Sequence, residues 1–251
     1  MDEELLSGGN MEPVVRVGDT VRRVPGEWTP TVHAWLRALR TGGIVEVPEP
    51  RGSDHRGREV LSYLSGSMLD RADPAVRWSP GVLEQAGRLL RRIHDVDLAF
   101  DAESAVWRSP AHEPVEVICH NDFAPYNLLV DGDRLVGVID FDMASPGPRI
   151  WDLAYLAYRL APFAEDAEGF DELEASGGEP RMARLDRLIS SYGVPYEASA
   201  VLAAAVERLL DLAAFTDARA GETGRADLAA HAAMYRRDAE RLRHLLEGSA
   251  R

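Results

Sequence analysis

The sequence predicts an α+β chain in two unequal parts, a small β-rich one over residues 1–65 and a larger, mainly helical one over residues 66–251. Three observations carry that expectation. Short β-type runs separated by glycine-containing turns fill the first part. Apolar residues recur at helical spacing from residue 80 and dominate beyond residue 150. Between them lie two further apolar runs, Val117–Val130 and Leu135–Phe141, with acidic and amide side chains gathered at their ends.

Taken in order, Pro13–Val17 and Thr20–Val24 read as strands joined by a tight turn at Gly18-Asp19. The Gly8-Gly9 pair ahead of them marks a turn whose backbone N–H groups can approach an anion. Thr29 is expected to cap a helix with Pro30 in its first turn, an apolar stripe of Val32, Trp35, Leu36 and Leu39, and a stop at Gly42-Gly43. His33 on that helix reads as a partly exposed residue with no special partner. Val45–Pro48 and Glu59–Leu64 read as strands, and Pro80–His94 as an amphipathic helix with Arg88, Arg91 and Arg92 on its outer face. Asp131-Gly132-Asp133 is a hairpin turn. Helices are expected near 153–160, with Asp152 as a possible cap, and over 181–192, 196–218 and 226–247. The acidic run Glu165–Glu174 reads as a solvated loop, with recognition of a cationic ligand as its functional alternative.

Composition narrows the function. The net charge of −14 argues against a nucleic-acid binder and suits a soluble protein that attracts cations. No apolar stretch is long enough to span a membrane, and the acidic Met1-Asp2-Glu3-Glu4 start is unlike a secretory signal, so a cytoplasmic setting is expected. The single cysteine, Cys119, excludes an intramolecular disulfide. There is no lysine, so any phosphate contact must come from arginine or backbone.

Asp122, Asn127, Asp140 and Asp142 fall near one end of the two apolar runs. A cluster offering only oxygen ligands suits Mg²⁺. The spacing His120-x-Asp122-x-x-x-x-Asn127, followed by Ile139-Asp140-Phe141-Asp142 and by Ile150-Trp151-Asp152-Leu153, resembles the aminoglycoside phosphotransferase family, a group that includes other small-molecule kinases. The chain lacks the Arg between His and Asp found in protein kinases, and has Asp-Phe-Asp in place of Asp-Phe-Gly.

The resemblance implies a bilobal, protein-kinase-like fold, with 1–65 as the nucleotide-covering lobe and 66–251 as the catalytic lobe. It implies ATP or GTP as co-substrate, Mg²⁺, and a small-molecule hydroxyl acceptor, cationic amino sugars among them, with neither nucleic acid nor membrane as partner. Asp122 would accept the acceptor's proton. Asn127 and Asp140 would hold the metal, with Asp142 as support or second ligand. His120 and Asp152 would hold the catalytic loop. Gly8 and Gly9 would cover the nucleotide, and backbone groups of Ser62, Tyr63 and Leu64 would meet the adenine. Arg23 aligns with the family's phosphate-binding Lys, and a one-residue shift selects Arg22. The family's helical Glu partner would fall near His33, so the Lys–Glu pair looks lost on both sides. A catalytically weak pseudokinase acting as a binding protein is the alternative. A phosphohydrolase using His120, Asp122, Asp140 and Asp142 is a third reading, and it leaves the Asn127 spacing unexplained.

Overall fold

The computed structural model describes residues 3–6, 14–96 and 105–249, so Gly8 and Gly9 lie outside the described residues. The chain falls into two compact units, one of residues 1–72 with 91–148 and the other of residues 73–90 with 149–251.

The first unit is built on an antiparallel sheet of β1 (Glu4–Leu6), β2 (Val14–Val17), β3 (Thr20–Arg23), β4 (Pro50–Ser53) and β5 (Glu59–Ser62), in the order β1-β2-β3-β5-β4. Val17 pairs with Thr20, which leaves Gly18-Asp19 as a two-residue loop. Gly18 sits at φ +62°, the left-handed backbone that primed hairpin turns require. β3 pairs with β5 so that Arg23 stands directly opposite Glu59, and Arg22 opposite Val60.

Helix α1 (Thr29–Thr41) buries Val32, Trp35, Leu36 and Leu39 as its stripe foretells. It also buries His33, against the expectation of partial exposure. Thr29 is the first helical residue and not the cap. Its hydroxyl accepts the N–H of Gly26 at 2.9 Å, closing the turn that leads into the helix. Val45–Pro48, expected as a strand, is a turn. Its carbonyls are drawn elsewhere: Arg40 donates to Val45 O at 2.8 Å, and Val138 N donates to Glu46 O at 2.8 Å, so no ladder can form.

Two small sheets complete this unit. One contains β6 (Ser67–Met68), β8 (Leu128–Asp131) and β9 (Arg134–Val138), and the other pairs β7 (Val117–Cys119) with β10 (Ser145–Gly147). The β8–β9 hairpin repeats the Gly-Asp solution, with Asp131 opposite Arg134 and Gly132 at φ +62°.

The second unit is helical: α2 (Pro74–Arg77), the start of α3 (Pro80–His94), then α4 (Arg149–Leu160), α5 (Phe170–Ala175), α6 (Arg181–Tyr192), α7 (Ala198–Thr223) and α8 (Ala226–Ser249). α6 has the bounds its apolar period foretells. α7 runs five residues beyond the expected end and stops at Gly224, at φ +68°. Among the described residues no helix is long and apolar enough to cross a membrane.

The acidic run is mostly exposed and is a loop as far as Gly169, as expected, but most of its acids also have partners. Glu165 pairs with Arg237 and Arg241, Asp166 with Arg159, and Asp171 and Glu174 with Arg181, and part of the run forms α5. Its carboxylates are therefore largely matched by arginines of the same unit. Fully buried Asp238 of α8 accepts from Tyr158 Oη at 2.5 Å and Glu165 N at 3.2 Å, and pairs with Arg241 at 2.6 Å. Burial pushes its carboxyl above the ordinary range.

Arg184, 1% exposed, donates to Leu160 O at 3.1 and 3.0 Å and to Trp78 O at 2.7 Å, so one buried guanidinium satisfies the ends of two other helices. Burial lowers it to about 10, so it remains charged at neutral pH. Arg184→Met would strand both carbonyls, each at about 1–3 kcal/mol. Urea unfolding should show a loss of that order, whereas Arg243→Met, which removes a half-exposed ion pair to Glu240, should change stability by less than about 1 kcal/mol.

Candidate active site

β7 delivers the chain to His120, and the next three residues fix the site. The His120 ring joins two backbone segments: Nε2 donates to Ile139 O at 3.1 Å, and Nδ1 accepts from Asp122 N at 3.2 Å. It packs on the Phe141 ring at 4.5 Å and edge-on to Phe123 at 5.6 Å. This geometry suits the expected scaffold role and leaves neither nitrogen to carry a proton for chemistry. Asn121 follows at φ +62°, in left-handed backbone, anchored by Nδ2 donating to Met143 O at 2.9 Å and Ser145 Oγ at 2.7 Å.

Asp122 is the best-held carboxylate. Tyr126 Oη donates to its Oδ1, and Asn127 Nδ2 donates to Oδ2 at 2.9 Å and to the Asp122 carbonyl at 2.9 Å. Burial raises its pKa and the charge of Asp140 adds to that, while the Tyr126 and Asn127 hydrogen bonds pull it back. Because Nδ2 of Asn127 is committed to Asp122, the oxygen Oδ1 is the atom left to meet a cation. Ile139 N donates to Asn127 O at 2.9 Å, tying the loop to the end of β9.

Asp140 leaves β9 at φ +64°, the second non-glycine residue in left-handed backbone, and starts a 3₁₀ turn over Phe141–Met143. Its carboxylate is half exposed and that of Asp142 is mostly covered. Arg23 bridges them, with Nη1 at 3.3 Å from Asp140 and Nη2 at 2.5 Å from Asp142. Burial alone would lower the Arg23 pKa, but Asp142, Glu59 and Asp140 more than offset that and raise it. Burial pushes Asp142 up while Arg23 opposes the shift. A second guanidinium, Arg108, stacks on Trp28 at 4.6 Å and lies 3.7 Å from Asp142. Asp140 and Asp142 share Arg23, and by donor chemistry their carboxylates and the amide oxygen of Asn127 are the hard oxygen ligands that a divalent cation such as Mg²⁺ prefers.

Of the two arginines considered for the phosphate position, Arg23 reaches the acids. Arg22 points to the other face of β3, donating to Thr20 Oγ1 and lying 3.7 Å from Asp54. Arg23 and His33 stand where the resemblance puts the Lys and the Glu, and an acid from elsewhere supplies an ion pair. Arg23 Nε pairs with Glu59, whose other oxygen bonds His33 Nε2 at 2.8 Å. His33, expected to lack a partner, thus has a specific one. The carboxylate comes from a strand, and the expected helical position is where His33 stands.

At the proposed adenine contact, Ser62 N is spent on Glu49 O at 2.9 Å and Tyr63 N on Asp19 O at 2.8 Å, so neither amide can serve a base. The Tyr63 ring lies under the Arg16 guanidinium at 3.9 Å. Leu64 remains the one residue of that trio whose N–H is not used in the sheet. Asp152 is fully buried in the second unit, inside the first turn of α4. That helix begins three residues earlier at Arg149, so Asp152 is not its cap. Sequence reading missed Glu59, Arg108, Tyr126 and Asn121. An inward-facing Glu at the start of a strand was the available signal for Glu59.

The phosphotransferase enzyme family matches residues 3–109 and 98–188. The trifolitoxin immunity protein of Rhizobium leguminosarum bv. trifolii is 34% identical over 172 residues, 66% of this chain and 64% of that protein. The chain spans less than two thirds of the length of the curated relatives it matches. An ethanolamine kinase of Plasmodium vivax shares the fold at TM-score 0.68 and 12% identity, over 95% of this chain and 82% of that one. A spectinomycin phosphotransferase, solved with ADP and spectinomycin, does so at TM-score 0.60 and 12% identity, over 96% and 88%. These likenesses establish the protein-kinase-like α+β fold. With the family matched across residues 3–188, the chain is a member of the phosphotransferase enzyme family.

Proposed function

We propose that the chain is a cytoplasmic small-molecule kinase that moves the γ-phosphate of ATP or GTP to an alcohol, with residues 1–65 covering the nucleotide and 66–251 supplying the catalytic loop and the acceptor site. The single observation that carries this reading is the arrangement of Asp122, Asn127 and Asp140. A buried carboxylate, an amide committed to it, and a half-exposed carboxylate at the end of the next strand support a phosphoryl-transfer site.

Asp122 accepts the acceptor hydroxyl's proton as the oxygen attacks phosphorus. Tyr126 and Asn127 fix its rotamer, and its raised pKa makes it a stronger base than an exposed aspartate. Arg23 offers two Nη donors to the phosphates. Asn127, Asp140 and Asp142 would hold Mg²⁺, which when bound would neutralise charge between the phosphates. His120 holds the loop, and Asp152 is the second residue to which the resemblance gives that role. An antibiotic-type amino sugar leads the acceptors to screen. A hydroxyl on a natural product or a peptide is the competing acceptor class. A pseudokinase is the second reading, favoured by Arg23 lying against both Asp140 and Asp142.

Thermal shift with ATP, GTP and non-hydrolysable analogues, with and without Mg²⁺, separates the two readings. A Mg²⁺-dependent rise that Asp140→Ala abolishes supports the kinase, and no rise with any nucleotide on folded protein supports the pseudokinase. Once an acceptor is in hand, Asp122→Asn should lower kcat by about 10²–10⁴-fold. A carboxyl whose pKa is raised by folding costs stability as pH climbs through the raised value, so at neutral pH the neutral amide relieves that cost. Asp122→Asn should therefore melt no lower than the wild type at pH 7. The acid limb of the wild-type pH–rate profile should lie above the ordinary aspartate value of about 4.

A further inference from the structure

Glu59 is 1% exposed and is the first residue of β5. Antiparallel register places it directly across from Arg23, and both of its oxygens are engaged. Oε1 makes an ion pair with Arg23 Nε, outside hydrogen-bond alignment, and Oε2 bonds His33 Nε2 at 2.8 Å from the buried face of α1. Arg23 is thereby gripped by one edge of its guanidinium plane. The opposite edge, Nη1 and Nη2, is turned toward Asp140 at 3.3 Å and Asp142 at 2.5 Å.

A guanidinium can serve both edges at once because its donors form a rigid planar fork, which a lysine ammonium does not have. The arrangement is also a poor way to gain stability alone. Desolvating a carboxylate, a guanidinium and an imidazole together usually does no better than apolar packing of the same volume. Its distinct effect is to fix the roll of the guanidinium plane. That roll decides whether the two Nη groups can engage two phosphate oxygens in parallel.

We propose that Glu59 and His33 are positioning residues for nucleotide phosphate binding: Glu59, from the neighbouring strand, sets the plane of Arg23, and His33 sets Glu59. This rests on the reading of Arg23 as a phosphate ligand. It assigns to a strand the carboxylate that the sequence places on the helix, and gives His33 a task.

The test is a double-mutant cycle on the affinity for ATP with excess Mg²⁺, measured by calorimetry on the full chain, with circular dichroism as a check of folding. Glu59→Gln should weaken ATP binding roughly tenfold in the presence of Arg23 and have little further effect in an Arg23→Ala background, the signature of residues acting through one another. His33→Ala should show the same dependence on Arg23 more weakly. His33→Gln, which keeps a donor toward Glu59, should recover most of the loss. Penalties that add independently of Arg23, or unchanged affinity in Glu59→Gln, would overturn the inference while leaving the kinase reading standing. If Glu59→Gln does not fold, the His33→Ala and Arg23→Ala cycle decides by the same criterion. Absence of ATP binding by the wild type would instead remove the reading of Arg23 itself.

Discussion

Four carboxylates crowd one end of the first unit, and arginine, Arg23 above all, makes the crowd tolerable. Asp140 raises the cost of ionising both Asp122 and Asp142, and buried Glu59 adds to it at Asp142. Like charges at such separations in a partly dry setting are expensive unless a cation stands between them. Arg23 is that cation, in contact with Glu59, Asp140 and Asp142 at once. In a chain without lysine this task can fall only to arginine, and a fork-shaped cation can touch three acids where a point charge would favour one. The five-stranded sheet and the acidic loop beyond β9 therefore share one electrostatic centre.

The loop geometry is held by different means. His120 acts through hydrogen bonds and packing. It spans two backbone segments and fills the space between aromatic rings. Around it, Asn121 and Asp140 occupy left-handed backbone, which costs non-glycine residues on the order of 1 kcal/mol each and persists only where surroundings dictate it. Two strained residues flanking the hydrogen-bonded Asp122–Asn127 pair are a local cost accepted in exchange for aim. The second unit shows the reverse economy. Many of its acids and arginines are matched in pairs, and one of its buried cations, Arg184, is spent on helix ends.

Much of this was legible in the residues. The hairpins at Gly18-Asp19 and Gly132-Asp133 follow from turn chemistry, and α6 from its apolar period. The acidic set could be named because its spacing is local, within a stretch of about twenty residues. What escaped was long-range. The Arg23–Glu59 contact depends on the register between β3 and β5, and two strands separated by a helix and a turn do not announce which residues face each other. His33 was misjudged for the same reason, because its partner arrives from a strand 26 residues away. Val45–Pro48 has strand composition, but its carbonyls are claimed by Arg40 and Val138, and composition carries no record of that competition.

The lone thiol has a use of another kind. Cys119 ends β7, is fully buried, and sits so close to Gly147 that a β-carbon there would lie 3.1 Å from its sulfur, so no reagent can approach it in the closed unit. Since the chain has no other cysteine, alkylation becomes a clock for the opening of one known place. Labelling rate, followed by mass, would report how often the strand beside the catalytic loop parts from its neighbour, without a mutation or an attached probe.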